Sequence, residues 1–280
     1  MEANRICVIT GANSGIGKIT AQEVARKGFD VVMLCRNLDK ARPVQQELQQ
    51  QNPSVSIDLI ACDLARLSSV REAARQVQDR VDHIDVLVNN AGLYIDTEQY
   101  SPDGYELTFA TNHLGPFLLT TLLLDHLRQG QDARVVTVAS EAHRFSGDFR
   151  LDDLARPKSY SGIRAYGRSK LCNILFAREL ADRLMDDGIT SNSVHPGGVN
   201  TNFGSGSASV TGLVFKVMKP FFRSPEEGAD TSVYLATSPE VEHVTGLYFA
   251  DRKPKAPSKD AQNGFYQKWL WTMSEEMTNR

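Results

Sequence analysis

A glycine-rich loop between a strand-like run and a helix-like run is the strongest constraint on what this chain can fold into. The loop follows the apolar residues 6–9 and reads Thr10-Gly11-Ala12-Asn13-Ser14-Gly15-Ile16-Gly17. Gly11 permits a tight turn, Gly15 lets the backbone approach a phosphate, and Gly17 lets the next helix press on the strand. Because the positive end of that helix would face the loop, the pattern predicts a site for the pyrophosphate of a dinucleotide.

Strand-like runs recur along the chain, and segments with helical spacing separate most of them. The runs are residues 5–10, 30–35, 55–62, 84–89, 134–139, 190–195 and 246–250. That alternation predicts an α/β fold of the Rossmann type, a doubly wound parallel sheet of about seven strands flanked by helices. The 280 residues, 41% hydrophobic and 23% charged, suffice for one core, so we expect a single domain over residues 1–280. Ser69 and Glu72 have the spacing of a capping box, which predicts that the third helix starts there.

The composition argues against several classes of protein. The net charge is −3 and no long basic run occurs, so we expect no binding to nucleic acid. The first strand starts at residue 5, so we expect no signal peptide or membrane anchor before it. The apolar stretch of residues 114–127 is too short to span a bilayer. We therefore expect a cytoplasmic protein. The four cysteines form no CxxC pair and the six histidines lack the spacing of metal ligands, so we expect reduced, buried thiols and no metal.

Three further motifs follow the glycine loop in chain order. They are Asn89-Asn90-Ala91-Gly92, Tyr166-Gly167-Arg168-Ser169-Lys170 and Pro196-Gly197-Gly198-Val199-Asn200-Thr201. In a helix, residues four positions apart share one face, so Tyr166 and Lys170 can point into the same cleft. A free tyrosine is a poor base at neutral pH, and a nearby ammonium lowers its pKa by stabilising the phenolate. On its own, this spacing of tyrosine and lysine is also typical of an ordinary exposed helix face.

Together, the four motifs resemble those of the short-chain dehydrogenase/reductase family, and the resemblance covers essentially the whole chain. Residues 165–181, 193–197 and 269–275 are similar to the retinol-dehydrogenase-like branch of that family. The resemblance implies an NADP(H)-dependent oxidoreductase that interconverts a carbonyl and an alcohol. It also implies a set of four catalytic residues, namely Asn112, Ser140, Tyr166 and Lys170.

The four residues have distinct expected roles. A general acid and a hydrogen-bond donor meet on the substrate oxygen while a hydride reaches the carbon. In this interpretation Tyr166 is the acid, and Ser140, at the end of the run 134–139, is the donor. Lys170 tunes the tyrosine and touches the ribose. Asn112 holds a water that links the lysine to solvent; without the resemblance, it would be interpreted as a kink or cap residue.

The resemblance further implies which residues bind the cofactor. The glycine loop contributes Gly11, Asn13, Ser14, Gly15, Ile16 and Gly17. The remaining residues lie further along the chain and are Arg36, Asp63, Leu64, Asn90, Ala91, Gly92, Tyr166, Lys170, Pro196, Gly197, Val199 and Thr201. For Asn89 and Asn90, a purely structural role is the alternative.

The end of the second strand-like run favours NADP over NAD. An NAD site needs a carboxylate there to accept hydrogen bonds from the ribose, whereas an arginine accommodates the 2′-phosphate of NADP. The sequence at this point is Leu34-Cys35-Arg36-Asn37, without an acid. The alternative is that Arg36 is merely a solvated charge at the end of a strand.

Residues 203–225 combine a glycine-serine lead with an apolar stretch, which predicts a mobile lid over a substrate. The apolar surface favours a bulky hydrophobic aldehyde, ketone or alcohol as the small-molecule partner. The alternative is a segment packed permanently as core or as a contact in a possible homo-oligomer. Two other functions stay open at this point: reduction of a conjugated carbon–carbon double bond, and NADP(H) binding without turnover by a sensor or scaffold.

Overall fold

The computed structural model describes residues 5–198 and 223–279, and within them eight strands form one sheet. The strands are β1 (Ile6–Thr10), β2 (Asp30–Cys35), β3 (Ile57–Ala61), β4 (Val86–Asn89), β5 (Arg134–Val138), β6 (Thr190–His195), β7 (Tyr248–Ala250) and β8 (Lys253–Pro254). Across the sheet their order is β3-β2-β1-β4-β5-β6-β7-β8. The first seven strands pair in parallel, and β8 is antiparallel to β7. The predicted α/β class and parallel sheet are confirmed, whereas the short edge strand β8 was not predicted.

Helices cover both faces of this sheet. They are α1 (Gly15–Arg26), α2 (Leu38–Gln51), α3 (Leu67–Gln78), α4 (Leu107–Phe109), α5 (Gly115–Leu122), α6 (Leu124–Arg128), α7 (Gly162–Arg183), α8 (Pro225–Thr237) and α9 (Gly264–Thr278). Apolar residues of α3, α5 and α7 form the core on one face, and those of α1, α2 and α8 form the core on the other. Among the described residues, none of these helices is both long and apolar enough to cross a membrane.

The alternation of side chains along β1 explains why both faces need helices. Ile6 and Val8 belong to the core under α3, α5 and α7, whereas Cys7 and Ile9 belong to the core under α1, α2 and α8. Successive side chains of a strand point to opposite faces, and a parallel strand with apolar residues at every position must be covered on both. The continuous apolar runs in the sequence therefore correspond to strands buried between two layers of helices.

The strand order reverses between β1 and β4, and this reversal places the candidate site. From β1 the chain moves outward to β2 and β3, then returns to β4 on the other side of β1. Crossover connections leave in opposite directions at such a point, so a crevice opens at the carboxyl ends of the two strands. The glycine loop follows β1 and residues 89–92 follow β4, which brings both motifs to this crevice.

The third helix begins before the position that the sequence predicted. α3 starts at Leu67, with Arg66 as the N-cap residue. The hydroxyl of Ser69 accepts a hydrogen bond from the backbone N–H of Asp63, at 3.0 Å. The predicted capping box is wrong because this contact with the preceding turn uses the serine hydroxyl.

The C-terminal helix α9 packs on α5 and α7, and Trp271 makes several of the contacts. The Trp271 ring meets Phe117 edge to face at 4.9 Å and lies nearly parallel to Phe176 at 6.0 Å between ring centroids. The guanidinium of Arg183 lies 4.3 Å from the centre of the Trp271 ring. Aromatic pairs and a cation over a ring add to the hydrophobic stabilisation that burial gives. Trp271 thus attaches the end of the chain to the core of the sheet.

We expect Trp271→Ala to lower the free energy of unfolding by about 3–5 kcal/mol, because it leaves a cavity between two aromatic rings. Trp269 of the same helix is 42% exposed, against 5% for Trp271. Trp269→Ala is therefore the matched control, with an expected change of only about 0.5 kcal/mol. Urea denaturation followed by circular dichroism measures both variants. Equal losses would contradict the anchoring role of Trp271.

Candidate active site

The glycine loop after β1 has the backbone shape that a phosphate site needs. Gly11 and Gly15 adopt positive φ angles of 67° and 52°, a region that side chains disfavour. A Cβ atom on Gly17 would lie 2.3 Å from the carbonyl oxygen of Gly11, so only glycine permits this approach of α1. Ser14 caps α1 without a side-chain hydrogen bond, so no side chain at the cap competes for the first N–H groups of the helix. These groups fit the pyrophosphate of a dinucleotide.

Asn90 joins the glycine loop to the end of β4. Its Nδ2 donates to the carbonyl of Thr10 at 2.9 Å, and the hydroxyl of Thr10 accepts from the backbone N–H groups of Asn90 and Ala91, both at 3.0 Å. The neighbouring Asn89 donates to the hydroxyl of Thr120 at 2.9 Å. Both asparagines therefore make structural hydrogen bonds within the protein. A structural role is the alternative to cofactor binding that the sequence left open for them.

The residues expected on the adenosine side lie on neighbouring strand ends. Arg36 is exposed directly after β2. Asp63 closes a turn after β3, where its carboxylate accepts from the backbone N–H of Ala65 at 3.1 Å. The backbone of the next residue, Leu64, packs so closely on α5 that a Cβ on Gly115 would lie 2.4 Å from its carbonyl oxygen. The structure thus places all three expected positions along the carboxyl edge of the sheet.

Ser140 and Tyr166 meet at the carboxyl end of β5. Ser140 follows the strand in an extended conformation, and its hydroxyl oxygen accepts from the backbone N–H of Ala142 at 3.1 Å. Its side chain also hydrogen-bonds with the hydroxyl of Tyr166, on the first turns of α7. A Cβ on Gly167 would lie 2.7 Å from the carbonyl oxygen of Ala142, so glycine beside the tyrosine lets α7 approach the serine. Gly167 was not among the predicted site residues, although its place inside the motif between Tyr166 and Lys170 was the available signal.

Lys170 lies one turn after Tyr166, on the same face of α7. Its Nζ donates to the carbonyl of Val138, the last residue of β5, at 2.9 Å and lies 5.6 Å from the centre of the Tyr166 ring. Asn173 donates to the same carbonyl at 3.1 Å. A Cβ on Gly92 would lie 3.3 Å from the Lys170 Nζ, which places the ammonium beside the motif that follows β4. The structure therefore brings the expected lysine, tyrosine and serine together.

Asn112 lies in a π-helical turn, Ala110–Leu114, between α4 and α5. Its side chain is buried and fully engaged: Oδ1 accepts from the backbone N–H of Leu93 at 2.8 Å, and Nδ2 donates to the Leu93 carbonyl and to the Ser169 hydroxyl. π-Helical turns inside helices occur frequently at functional sites. The expected water-holding role of Asn112 stays a prediction.

The motif after β6 is described only in part. Pro196 and Gly197 follow β6, and Gly197 has a positive φ of 87°. The backbone N–H of Arg223 donates to the carbonyl of Gly198 at 2.6 Å. The expected cofactor residues Val199 and Thr201 lie outside the described residues, as does the predicted lid up to residue 222. Ser224 and Glu227 form a capping box at the start of α8.

The comparisons with known proteins agree with this geometry. A family model of the short chain dehydrogenases matches residues 5–209. The chain belongs to the short chain dehydrogenase family.

Individual relatives specify the branch of this short chain dehydrogenase. Human retinol dehydrogenase 14 is 41% identical over 96% of this chain and 85% of that protein. Mouse retinol dehydrogenase 12 is 39% identical over 98% of this chain and 86% of that protein. A crystal structure of a putative uncharacterized protein from Mycobacterium paratuberculosis has a TM-score of 0.78 and 34% identity, covering 99% of this chain and 94% of that one. The predicted resemblance to the retinol-dehydrogenase-like branch is confirmed, and the chain is an oxidoreductase of this family.

Burial dominates the electrostatics of the tyrosine and the lysine. It raises the pKa of the Tyr166 phenol, and the hydrogen bond with Ser140 acts in the opposite direction. Burial lowers the pKa of the Lys170 ammonium to about 8. From the sequence, Lys170 is expected to lower the pKa of Tyr166. In this structure the hydrogen bond with Ser140 acts in that direction, while the Lys170 ammonium lies 5.6 Å from the centre of the tyrosine ring and donates to Val138. The effect of Lys170 on Tyr166 stays a prediction.

The buried ammonium should make the protein less stable than an apolar side chain would. The pKa of Lys170 is about 8 in the folded protein against a usual 10.5, so the unfolded chain binds more protons between these values. The cost is fully present below pH 8 and disappears as the pH rises towards 10.5. We expect Lys170→Met to raise the free energy of unfolding by about 1–3 kcal/mol at pH 7.

The advantage of Lys170→Met should shrink between pH 8 and 10.5, since neutral lysine no longer carries the cost. Denaturant titrations of both proteins at several pH values measure it. Comparing the two proteins at each pH removes the contribution of the buried cysteines, whose pKa values are raised in both. A constant difference across this range would contradict the lowered pKa.

Proposed function

We propose that this short chain dehydrogenase is an NADP(H)-dependent enzyme that interconverts a carbonyl and an alcohol on a hydrophobic substrate. The observation that carries the proposal is the meeting of Ser140, Tyr166 and Lys170 at the carboxyl end of β5. This group lies at the same edge of the sheet as the glycine loop. A proton donor, a second hydrogen-bond donor and a cation at one edge are what carbonyl reduction requires.

The binding residues have separate tasks in this proposal. The glycine loop and the N-terminus of α1 would hold the pyrophosphate, and Asp63 and Leu64 would contact the adenine. The exposed guanidinium of Arg36 at the end of β2 pairs with the 2′-phosphate of NADP. Lys18, a cation on α1 next to the glycine loop, is already paired with Glu47 at 2.8 Å, which supports Arg36 as the residue that binds that phosphate.

When bound, the nicotinamide ring supplies or accepts the hydride. In the reducing direction, Tyr166 gives its phenolic proton to the substrate oxygen. The hydroxyl of Ser140, whose oxygen accepts from the N–H of Ala142, turns its proton from Tyr166 to the substrate oxygen and donates a hydrogen bond to it. The Lys170 ammonium stabilises the phenolate that remains on Tyr166. In the oxidising direction, each proton transfer is reversed.

The hydrophobic substrate class is supported by the relatives, which are named retinol dehydrogenases, since retinol is a long apolar alcohol. Loss of NADPH absorbance against aldehydes and ketones of increasing chain length tests both parts of the proposal. We expect turnover, with kcat/KM rising along the apolar series. Preference for short polar carbonyls would contradict the substrate class, and identification of a saturated ketone as the product of an enone would point to reduction of the double bond.

Tyr166→Phe keeps the ring but removes the proton donor. We expect NADPH to bind with nearly unchanged affinity and kcat to fall about 10²-fold or more, as is usual for loss of an acid–base group. Steady-state kinetics and titration of NADPH fluorescence measure the two quantities. Tyr160→Phe is the control, because the Tyr160 hydroxyl donates to the Ile95 carbonyl in the adjoining loop. Near-normal turnover of Tyr166→Phe would contradict its role as the acid.

Arg36→Asp replaces a cation by an anion at the end of β2. We expect NADPH binding to weaken roughly tenfold to a hundredfold, since charge-assisted hydrogen bonds contribute about 1.5–3 kcal/mol. NADH binding should strengthen, because a carboxylate can accept from the ribose hydroxyls. Dissociation constants for both cofactors measure the change. An unchanged ratio of the two dissociation constants would mean that another residue binds the 2′-phosphate.

A cytoplasmic location and a possible homo-oligomer are also part of the proposal. Fractionation of cells that express the full-length protein tests the location. Sedimentation of the purified protein tests the oligomeric state.

A further inference from the structure

A buried histidine contacts the backbone of the proposed catalytic serine. His143 lies on the 3₁₀ turn Glu141–Phe145, which starts directly after Ser140, and its side chain has no exposed surface. Its Nδ1 lies 2.6 Å from the carbonyl oxygen of Ser140. On the other side of the ring, Nε2 lies 3.0 Å from the backbone nitrogen of Ser258. One imidazole therefore joins the serine to a segment more than a hundred residues away.

The two partners determine which nitrogen of His143 carries the proton. The backbone N–H of Ser258 can only donate, so Nε2 accepts and carries no proton. The neutral ring then has its proton on Nδ1, which donates to the Ser140 carbonyl. An imidazolium would lose the bond with Ser258, and burial lowers the pKa of His143, so both effects favour the neutral ring.

The surroundings hold the ring in place. Tyr248 of β7 meets it edge to face, with 5.3 Å between ring centroids. The hydroxyl of Ser258 accepts from the backbone N–H of the buried Ala261, which attaches the far end of this connection to the core. The position of the His143 ring is therefore set by β7 and by the segment around Ser258, in addition to the contact of α7 with the same turn through Gly167.

The hydrogen bond from His143 fixes the backbone carbonyl of Ser140, and the backbone position constrains the Ser140 side chain. The carbonyl of Ser140 accepts from both the N–H of His143, at 3.1 Å, and the Nδ1 of the same residue. Carbonyl and side chain leave the same Cα atom, so a fixed carbonyl limits how far the hydroxyl can move. The hydroxyl must stay within hydrogen-bond distance of Tyr166 and of a substrate oxygen, where small displacements are costly.

We propose that His143 is a positioning residue, which holds Ser140 in its catalytic orientation by a hydrogen bond from Nδ1 to the Ser140 carbonyl. The hydrogen bond with Ser258 holds the other side of the His143 ring against the C-terminal part of the chain. The inference rests on the proposed function, because it requires Ser140 to touch the substrate.

Two substitutions separate the two bonds of the ring. His143→Asn places an amide N–H where Nδ1 stood and cannot reach Ser258, whereas His143→Gln reaches the Nε2 position and accepts from Ser258. Each variant loses one bond, so their stabilities should be similar. We expect His143→Asn to keep kcat within about threefold and His143→Gln to lower it roughly tenfold, with unchanged dissociation constants for NADPH. Equal losses in both variants would overturn the proposal.

The same variants in a Ser140→Ala background show whether His143 acts through the serine. If it does, His143→Gln causes no further loss once the hydroxyl is gone; a second tenfold loss would show a general structural effect and overturn the proposal. Arg144→Gln is the matched control, since it breaks other bonds of the same turn, to the Ala256 carbonyl and to the Glu141 carboxylate, without touching Ser140. Its kcat should stay within about twofold.

Two further outcomes distinguish this inference from the proposed function. Full activity of Ser140→Ala would overturn the serine assignment and the His143 inference together. A slow Ser140→Ala with a normal His143→Gln would overturn only the role of His143. If His143→Gln does not fold, His143→Ala takes its place. The proposal then requires His143→Ala to have a lower kcat than His143→Asn when Ser140 is present, and the same kcat when Ser140 is replaced by alanine.

Discussion

The carbonyl of Val138 is the contact on which the arrangement of the site depends. It is the last carbonyl of β5, and both Lys170 and Asn173 of α7 donate to it. A buried carbonyl without a donor is costly, so this acceptor holds the helix at a set height above the end of the strand. Ser140 comes two residues after Val138, and Tyr166 comes one turn before Lys170. Satisfying one backbone acceptor therefore also sets the distance between the serine and the tyrosine.

Close approach of helices to the sheet edge is the second constraint. α1 reaches the glycine loop because Gly17 has no Cβ, and α7 reaches the loop after β5 because Gly167 has none. In both places a methyl group would lie closer than 3 Å to a backbone carbonyl oxygen. The two helices supply the N-terminus that faces the glycine loop and the tyrosine that faces the serine. Two glycines thus allow α1 and α7 to approach the same edge of the sheet, at the glycine loop and at the serine.

The site is costly in free energy, and the rest of the fold compensates. A buried lysine with a lowered pKa opposes folding at neutral pH. Nearby, α9 covers α5 and α7, and the Trp271 ring packs on Phe117 and Phe176 beneath the lysine-bearing helix. This aromatic cluster stabilises α7 without touching the crevice. A destabilising candidate site on a well-packed scaffold is the usual division in enzymes.

Local chemistry in the sequence was enough for the fold class. Glycine spacing and apolar runs depend on residues close together in the chain, so they could be interpreted before any contact was known, whereas the pair Tyr166 and Lys170 gained its meaning from the resemblance to a known family. Boundaries were less accurate: the start of α3 was wrong because the Ser69 hydroxyl bonds to Asp63 instead of capping the helix. The edge strand β8 has two residues and offers no periodic pattern to detect.

The sequence by itself determined the fold class and, through the resemblance of its motifs to a known family, named the candidate groups for the chemistry, because residue type and spacing are properties of the chain before it folds. Only the tertiary structure decided how those groups are held and charged. The bond from His143 to Ser258 joins distant segments, and the lowered pKa of Lys170 comes from the shell of residues around it. Burial and long-range hydrogen bonds arise only when the chain is folded, so no local pattern could have shown them.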